Sequence, residues 1–171
     1  MKILASAFFD RPAEAVARDL IGSRLHWRID DQSQSLMITE TEAYIGPHDL
    51  ASHAARGRTK RNEPLFGPPG TFYVYLVYGL HWMLNVVTGA VDYPAGVLLR
   101  SLEGIEGPGR ITKTLGITGQ LNAKAASEQT GVWFSEGVRP TRKRVVRSAR
   151  IGVDYAGPVW SVKPYRFVLT E

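Results

Sequence analysis

The chain has 171 residues, contains no cysteine and carries a formal net charge of +5. This length favours a single domain over residues 1–171 that buries roughly 70% of its unfolded surface. The absence of cysteine excludes disulfides, thiolate nucleophiles and cysteine-based metal sites, and fits a reducing compartment. The positive charge favours a polyanionic partner.

Apolar segments of the sequence are short. No run approaches the ~20 residues that a membrane-spanning helix needs, and residues 1–9 lack the charged start and long apolar core of a signal peptide. We therefore expect a cytoplasmic protein without membrane contact, associated with the nucleoid if the source is bacterial. A monomer is the simplest expectation.

The N-terminal part of the chain predicts a helix and then two strands. The helix has Asp10 at its N-cap, Pro12 in its first turn and Gly22 as its stop. Further on, Asp49 is expected to cap a second, short helix. The predicted elements are a helix at 13–21, strands at 25–29 and 36–44 with a turn at 30–35, a short helix from 49 to 53, and a loop at 56–69.

The rest of the chain is rich in predicted strands. Two β-branched and aromatic segments meet at Tyr78-Gly79-Leu80, which is typical of a hairpin. Gly107-Pro108-Gly109 precedes a short helix at 110–115. Together the elements predict an α+β fold: one compact domain with a curved, mainly antiparallel β-sheet, flanking short helices and a protruding aromatic-tipped hairpin. The remaining predicted strands are 71–78, 81–88, 97–102, 145–153 and 166–169.

Carboxylates and tyrosines share faces of two predicted strands. Because alternate side chains of a strand point the same way, Ile38, Glu40, Glu42 and Tyr44 are expected on one face. That face is either a solvated side of the sheet or part of a site. In the hairpin, tyrosines can stack on planar bases, and an exposed aromatic tip resembles the apolar wedges that enter the minor groove.

Basic residues form two clusters. Each is either a solvated face or a phosphate-binding patch, and a fall in DNA affinity with added salt would indicate phosphate contacts. The first cluster contains Arg56, Arg58, Lys60 and Arg61, and the second contains Arg139, Arg142, Lys143, Arg144, Arg147 and Arg150.

Different short motifs are distributed along nearly the whole chain, from about residue 8 to residue 167. They are residues 40–47 (Glu-Thr-Glu-Ala-Tyr-Ile-Gly-Pro), His53, Arg61-Asn62, Phe66, Pro69-Gly70-Thr71, Tyr73-Val74-Tyr75, Tyr78-Gly79, Asn85, Val97-Leu98-Leu99-Arg100, Gly107-Pro108-Gly109, Arg150-Ile151-Gly152-Val153 and Lys163-Pro164. In this order and spacing they resemble the alkyladenine (3-methylpurine) DNA glycosylase family.

The resemblance implies a monofunctional DNA glycosylase that initiates base excision repair. Such an enzyme flips a damaged purine (3-methyladenine, 7-methylguanine, hypoxanthine or ethenoadenine) out of duplex DNA and hydrolyses its N-glycosyl bond, with no metal or organic cofactor. The resemblance also implies that Glu42 is the general base for the attacking water and that Arg100 is a nearby catalytic cation. Glu42 must then stay ionised, which limits how far burial can raise its pKa.

The resemblance also assigns binding roles. By position, Tyr44, His53 and Tyr75 sandwich the flipped base, the His53 backbone N–H donates to it, Asn85 rejects the 2-amino group of guanine, and Tyr78 fills the gap in the duplex beside Leu80. The candidate DNA contacts also include Arg56, Arg58, Lys60, Arg61 and Gly109. Tyr75 and Asn85 share a face only if the hairpin connection has odd length or a bulge intervenes, so we predict such an irregularity.

Two departures from the family pattern concern DNA contacts and lesion range. The segment between residues 103 and 107 is very short, whereas relatives usually carry an extended segment there. Any DNA contacts that the extended segment makes are therefore lost or replaced in this chain. His81-Trp82 also differs from the common pattern.

Three alternatives remain open from the sequence. Asp49 and His53 are spaced i, i+4 with His48 nearby and offer a pair of metal ligands, without a third ligand close in sequence. A non-catalytic nucleic-acid-binding module explains the tyrosines and basic clusters but not Glu42 beside Tyr44. A structural strand-rich domain leaves the aromatic tip unexplained. The substitution Glu42→Gln discriminates between an enzyme and a structural domain. In an enzyme it should keep lesion binding and abolish excision, whereas loss of both would indicate a structural role of Glu42.

Overall fold

The structure is a computed structural model that describes residues 2–141 and 144–170. Arg142 and Lys143 of the second basic cluster lie outside the described residues. The strands are β1 (Arg24–Ile29), β2 (Gln32–Tyr44), β3 (Phe72–Val77), β4 (His81–Thr88), β5 (Ala95–Leu102), β6 (Ile105–Glu106), β7 (Val132–Ser135), β8 (Val145–Ser148) and β9 (Arg166–Leu169). The α-helices are α1 (Ser6–Phe9), α2 (Ala13–Leu20), α3 (Pro108–Leu115) and α4 (Gly157–Trp160), and 3₁₀ helices occur at His53–Arg56, Glu63–Phe66, Gly119–Leu121 and Asp154–Ala156.

The nine strands of the described residues form one sheet in which β2 is the longest member. The order is β3-β4-β5-β2-β1-β7, with β6 paired to the end of β5 and with β9 joining β2 to β8. Every pairing between these strands is antiparallel. The first half of β2 pairs with β1 and the second half with β5 and β9. This arrangement confirms the predicted α+β fold with its mainly antiparallel sheet and short helices.

Helices α2 and α3 cover one face of the sheet and build the main core with it. An apolar side chain buried there contributes about 1.5–3 kcal/mol relative to an exposed one. The core includes Phe9, Val16, Leu20, Val97, Leu99, Ile111 and Leu115. None of the helices in the described part of the chain is long and apolar enough to cross a membrane.

Several predicted element ends are wrong for identifiable reasons. Asp10 does not cap α2, because it ends the unpredicted helix α1; Pro12 occupies the N-cap of α2 without a side-chain cap. The β1–β2 turn is only Asp30-Asp31, both at positive φ, which aspartate tolerates. Strand β8 stops at Ser148 rather than 153, and β7 was not predicted.

The pairing of β2 with β5 is irregular on both sides of Glu40. Its register shifts between Ile38 and Glu40 and again between Glu40 and Thr41. As a result Ile38 packs in the main core, and the prediction that it shares a face with Glu40 and Glu42 is wrong. The two glutamates do share a face, since Arg100 contacts both.

The hairpin of β3 and β4 has a connection of odd length, one of the two irregularities that the sequence predicted. Val77 pairs with His81, so Tyr78, Gly79 and Leu80 form a three-residue turn. Tyr78 and Gly79 both adopt the left-handed backbone region, with φ of 51° and 67°. This register sets Tyr73 opposite Asn85, and Tyr75 therefore lies on the same face as both.

Candidate active site

A cavity opens on the face of the sheet opposite α2 and α3. About 360 Å³ of this cavity is not filled by protein atoms, and part of that space is open solvent. Its lining residues are Tyr44, Ala51, Ser52, His53, Leu65, Tyr73, Tyr75, Asn85, Gly96 and Tyr155. All four residues predicted to bind the base are thus brought together here.

Glu42 lies next to this cavity with no exposed side-chain surface. The Ile151 backbone N–H donates to its Oε1 at 2.8 Å, and the Tyr44 hydroxyl donates to its Oε2 at 2.9 Å. Arg100 Nη1 lies 3.3 Å from Oε1. The carboxylate is therefore held from three directions, by one cation and two neutral donors.

Burial and hydrogen bonding act in opposite directions on this carboxylate. Desolvation raises the pKa of Glu42 above the ordinary value, while the Arg100 charge, the Ile151 N–H, the Tyr44 hydroxyl and the Arg150 charge lower it. Burial and the neighbouring Glu42 charge raise the pKa of Tyr44 far above its usual value. Tyr44 thus stays protonated at neutral pH and remains a donor to Glu42.

Arg100 connects Glu42 to a second carboxylate. Its Nε lies 3.2 Å from Glu40 Oε1, and Glu40 is also contacted by Arg166 and accepts a hydrogen bond from Ser101 at 2.9 Å. Glu40 thus has two counter-ions, Arg100 and Arg166, and it shares Arg100 with Glu42. It lies where the sequence predicted a cation beside Glu42.

Aromatic rings form the walls of the cavity. The rings of His53 and Tyr75 are 4.5 Å apart between centroids, and those of Tyr73 and Tyr75 are 5.1 Å apart. His53 Nδ1 lies 2.9 Å from the Tyr73 hydroxyl. Desolvation, aided by the Arg61 charge, lowers the pKa of His53, which favours its neutral form. Burial raises the pKa of Tyr73 to about 12.

Asn85 is held against the hairpin backbone. Its Nδ2 donates to the Tyr73 carbonyl at 3.1 Å and reaches the Met83 carbonyl at 3.4 Å. The side chain is buried and lines the cavity. Its orientation is therefore fixed before any ligand arrives.

The hairpin tip is the most exposed apolar feature of the structure's described part. Tyr78 is 90% exposed and Leu80 is 75% exposed. Gly109, in the first turn of α3, packs against His81 at the base of the tip, where a Cβ would lie 3.2 Å from the imidazole. The predicted wedge and Gly109 are thus near one end of the hairpin.

Comparison with known proteins decides the family. A family model described as methylpurine-DNA glycosylase (MPG) matches residues 7–107 and 103–171. The chain belongs to the methylpurine-DNA glycosylase family. It is accordingly an enzyme, a hydrolase of N-glycosyl bonds in alkylated purine DNA, and its substrate is DNA.

Relatives of this glycosylase span nearly the whole chain. A protein of Myxococcus xanthus (strain DK1622) is 44% identical over 97% of this chain and 89% of its own length. Others from Methanocella arvoryzae and Legionella pneumophila (strain Paris) are 40% and 35% identical, over 98% and 100% of this chain and 92% and 96% of their own lengths. All three carry the name "Putative 3-methyladenine DNA glycosylase".

The shortened segment of this glycosylase is a tight hairpin. β6 folds back on the end of β5, pairing Leu102 with Ile105, so the connection is Glu103-Gly104. The two matches to the family model overlap at residues 103–107, the same place. The chain therefore passes from β5 to β6 through a two-residue turn.

The basic residues of the glycosylase differ in their availability to DNA. Arg58 donates to both oxygens of Glu63, at 2.9 and 2.7 Å, and pairs with Asp92 at 3.1 Å. Arg61 donates to the Leu76 carbonyl and lies over the Tyr75 ring. In the second cluster Arg150 is fully buried against Asp49, so a phosphate-binding role for that residue is wrong.

We expect these differences to appear in the salt dependence of DNA binding. Arg56→Ala should reduce the slope of log affinity against log salt by about 0.9, the value for one lost phosphate contact on duplex DNA. Arg58→Ala should change it little, because two carboxylates already neutralise that guanidinium. Titrations of duplex DNA at several salt concentrations measure both slopes, and equal losses would contradict this ranking.

The structure adds to the site two tyrosines that were not among the predicted site residues. Tyr73 lines the cavity, and Tyr155 stands at its mouth with its hydroxyl donating to the Ala51 carbonyl at 2.7 Å. Tyr155 lies between the predicted strands 145–153 and 166–169, in a segment where no spacing pattern indicates a site residue. The alternative metal pair is not supported, because Asp49 is bound by Arg150, and the described residues contain no cluster of three or more metal-ligating side chains.

Proposed function

We propose that this glycosylase flips a damaged purine out of duplex DNA into the aromatic cavity and releases it by attack of a water that Glu42 activates. The observation that carries this proposal is the buried Glu42 carboxylate, held by Arg100 and two neutral donors directly beside that cavity. The exposed Tyr78 tip supports flipping, since a wedge has to fill the gap that the base leaves.

The proposed reaction uses groups already in place. The water oxygen attacks C1′ of the sugar and gives its proton to Glu42, while the N-glycosyl bond breaks and its electron pair leaves with the purine. Among the described residues Oε2 accepts only the Tyr44 hydroxyl, so it retains capacity for the water. The Glu42 charge also stabilises the developing cationic sugar, and Arg100 helps to keep Glu42 ionised.

Leaving-group chemistry ranks the proposed substrates. Bases that already carry positive charge, 3-methyladenine and 7-methylguanine, leave as neutral purines. Hypoxanthine and ethenoadenine start neutral and require a proton or hydrogen bonds at the purine. The names of the relatives support 3-methyladenine first. Tyr44, Tyr75 and the neutral His53 supply stacking surfaces, and tyrosine faces favour a cationic base.

The test is release of free base from duplex DNA that carries a single methylated purine or a hypoxanthine. The wild-type protein should release base in the presence of a chelator, and Glu42→Gln should not. A non-catalytic nucleic-acid-binding module, the alternative, predicts binding of lesion DNA without release by either protein. Membership of the glycosylase family already favours the enzyme.

Asn85 is proposed to exclude normal guanine. Because two backbone carbonyls hold its amide, its bulk cannot swing away from the 2-amino group of guanine. Asn85→Ser should raise release of guanine relative to hypoxanthine by at least about 10-fold, the scale of one steric discrimination. Measuring both rates on otherwise identical duplexes tests this, and an unchanged ratio would remove Asn85 from the specificity role.

A further inference from the structure

A fully buried ion pair lies behind the stacking wall of the cavity. Arg150 Nη1 and Nη2 donate to the two carboxylate oxygens of Asp49 at 2.6 and 2.8 Å, and neither side chain is exposed. Asp49 also accepts the backbone N–H groups of Ile45 and Ala51, both at 3.1 Å. The pair therefore joins the loop after β2 to the segment after β8.

Stability alone is a weak explanation for such a pair. Removing two charges from water is costly, and replacing a buried ion pair by neutral groups of similar size is often neutral or stabilising. The pair also lies outside the cavity lining, so it does not contact a bound base. Its contacts toward Glu42 suggest a different role.

Arg150 acts on both neutral donors of Glu42. Its guanidinium lies 4.7 Å from the centroid of the Tyr44 ring, and its Nη1 donates to the Ala43 carbonyl at 2.9 Å. The next residue, Ile151, gives its N–H to Glu42 Oε1. One side chain thus supports the back of Tyr44, while the adjacent backbone holds the other oxygen of the same carboxylate.

We propose that Asp49 and Arg150 are positioning residues for base excision, which fix the Tyr44 hydroxyl and the Ile151 N–H on Glu42. This inference rests on the proposed role of Glu42 as general base. A displacement of about 1 Å in a catalytic group can cost ~100-fold in rate, so loss of this support should be visible in the chemical step. The Arg150 charge also opposes the effect of burial on the pKa of Glu42.

The decisive variant is the double substitution Asp49→Asn with Arg150→Met. It removes both charges together, and the single Asn oxygen can still accept one of the two backbone N–H groups that Asp49 accepts, from Ile45 or from Ala51. We expect a folded protein whose affinity for lesion duplex stays within about 3-fold of wild type, while single-turnover excision falls at least about 10-fold. The acid limb of its rate profile should move to higher pH, because the Arg150 charge lowers the pKa of Glu42, whereas the Asp49 charge is not among the causes that shift it.

Arg150→Lys separates geometry from charge. Lysine keeps the positive charge but cannot make the bidentate contact with Asp49. The excision rate should therefore fall without a shift in the acid limb of the pH–rate profile. The matched control is Asp19→Asn, which breaks the contacts of Asp19 with Arg11 and Arg18 away from the cavity and should leave excision unchanged.

A folded double variant with wild-type rate and pH profile would overturn the inference. If the excision rate of the double variant and of Arg150→Lys fell only in proportion to the fraction of folded protein, the pair would stabilise the fold and would not position Glu42. Failure of the underlying mechanism looks different: the wild type would release no base, or Glu42→Gln would release it at the wild-type rate.

Discussion

Glu42→Gln is expected to reduce base excision at least about 100-fold, the lower range for a lost general base, while it raises the melting temperature. The carboxylate has no exposed surface, and burial raises its pKa, so the folded protein holds the charged form at a cost. Glutamine keeps the shape without the charge: its oxygen can accept the Ile151 N–H, and its amide N–H can donate to the Tyr44 hydroxyl. Single-turnover excision and thermal unfolding on the same preparation measure both effects.

The pH dependence of the two effects follows from the direction of this pKa shift. The unfolded chain ionises near 4.5, and the folded protein at a higher pH. The stability advantage of glutamine should thus be full at neutral pH and shrink as the pH falls through the folded pKa toward 4.5. Excision by the wild type should decline over the same range, as Glu42 gains a proton.

Glu40→Gln is the matched control for this prediction. Glu40 lies on the same strand face and contacts Arg100, but it touches neither Tyr44 nor Ile151. We expect its excision rate to stay within about 10-fold of wild type, because it supports a cation rather than the water. Equal losses in the two variants would mean that the Arg100 network, rather than Glu42 itself, carries the chemistry.

The sequence predicted the sheet and the site in different ways. Strand propensity and alternation located β3, β4 and β5 to within two residues at each end, because their side chains pack on a pleated surface. Requiring Tyr75 and Asn85 on one face also predicted an irregular hairpin, with an odd-length connection or a bulge, and the structure has a connection of three residues. Alternation failed around Glu40, since a register shift depends on the partner strand β5.

Contacts between distant segments were beyond reach of the sequence. The Ile151 backbone N–H donates to the Glu42 carboxylate 109 residues away in sequence, and Arg150 pairs with Asp49, 101 residues away. No local pattern encodes such a meeting, because it depends on how the segment after β8 folds over the sheet. Asp49 was instead predicted as a helix cap and Arg150 as part of a surface cluster, and both predictions ignored their shared burial.

Tyr78→Asn is expected to separate base flipping from stability. Tyr78 has a φ of 51° and a ring that is 90% exposed, so it carries backbone strain with little packing in return. Asparagine favours this backbone region, and Asn-Gly is a preferred turn pair. The variant should therefore unfold at the wild-type temperature or above it, which excludes misfolding as a cause of lost activity.

Excision from duplex DNA by the same variant should fall at least about 10-fold, because nothing then fills the gap left by the base. A single-stranded substrate removes most of the cost of unpairing and unstacking, so excision from it should change much less. Val138→Asn, an exposed apolar residue elsewhere in the fold, is the control and should leave both rates unchanged. Equal losses on duplex and single strand would place Tyr78 in lesion binding or chemistry instead, since a wedge acts only where a partner strand must be held apart.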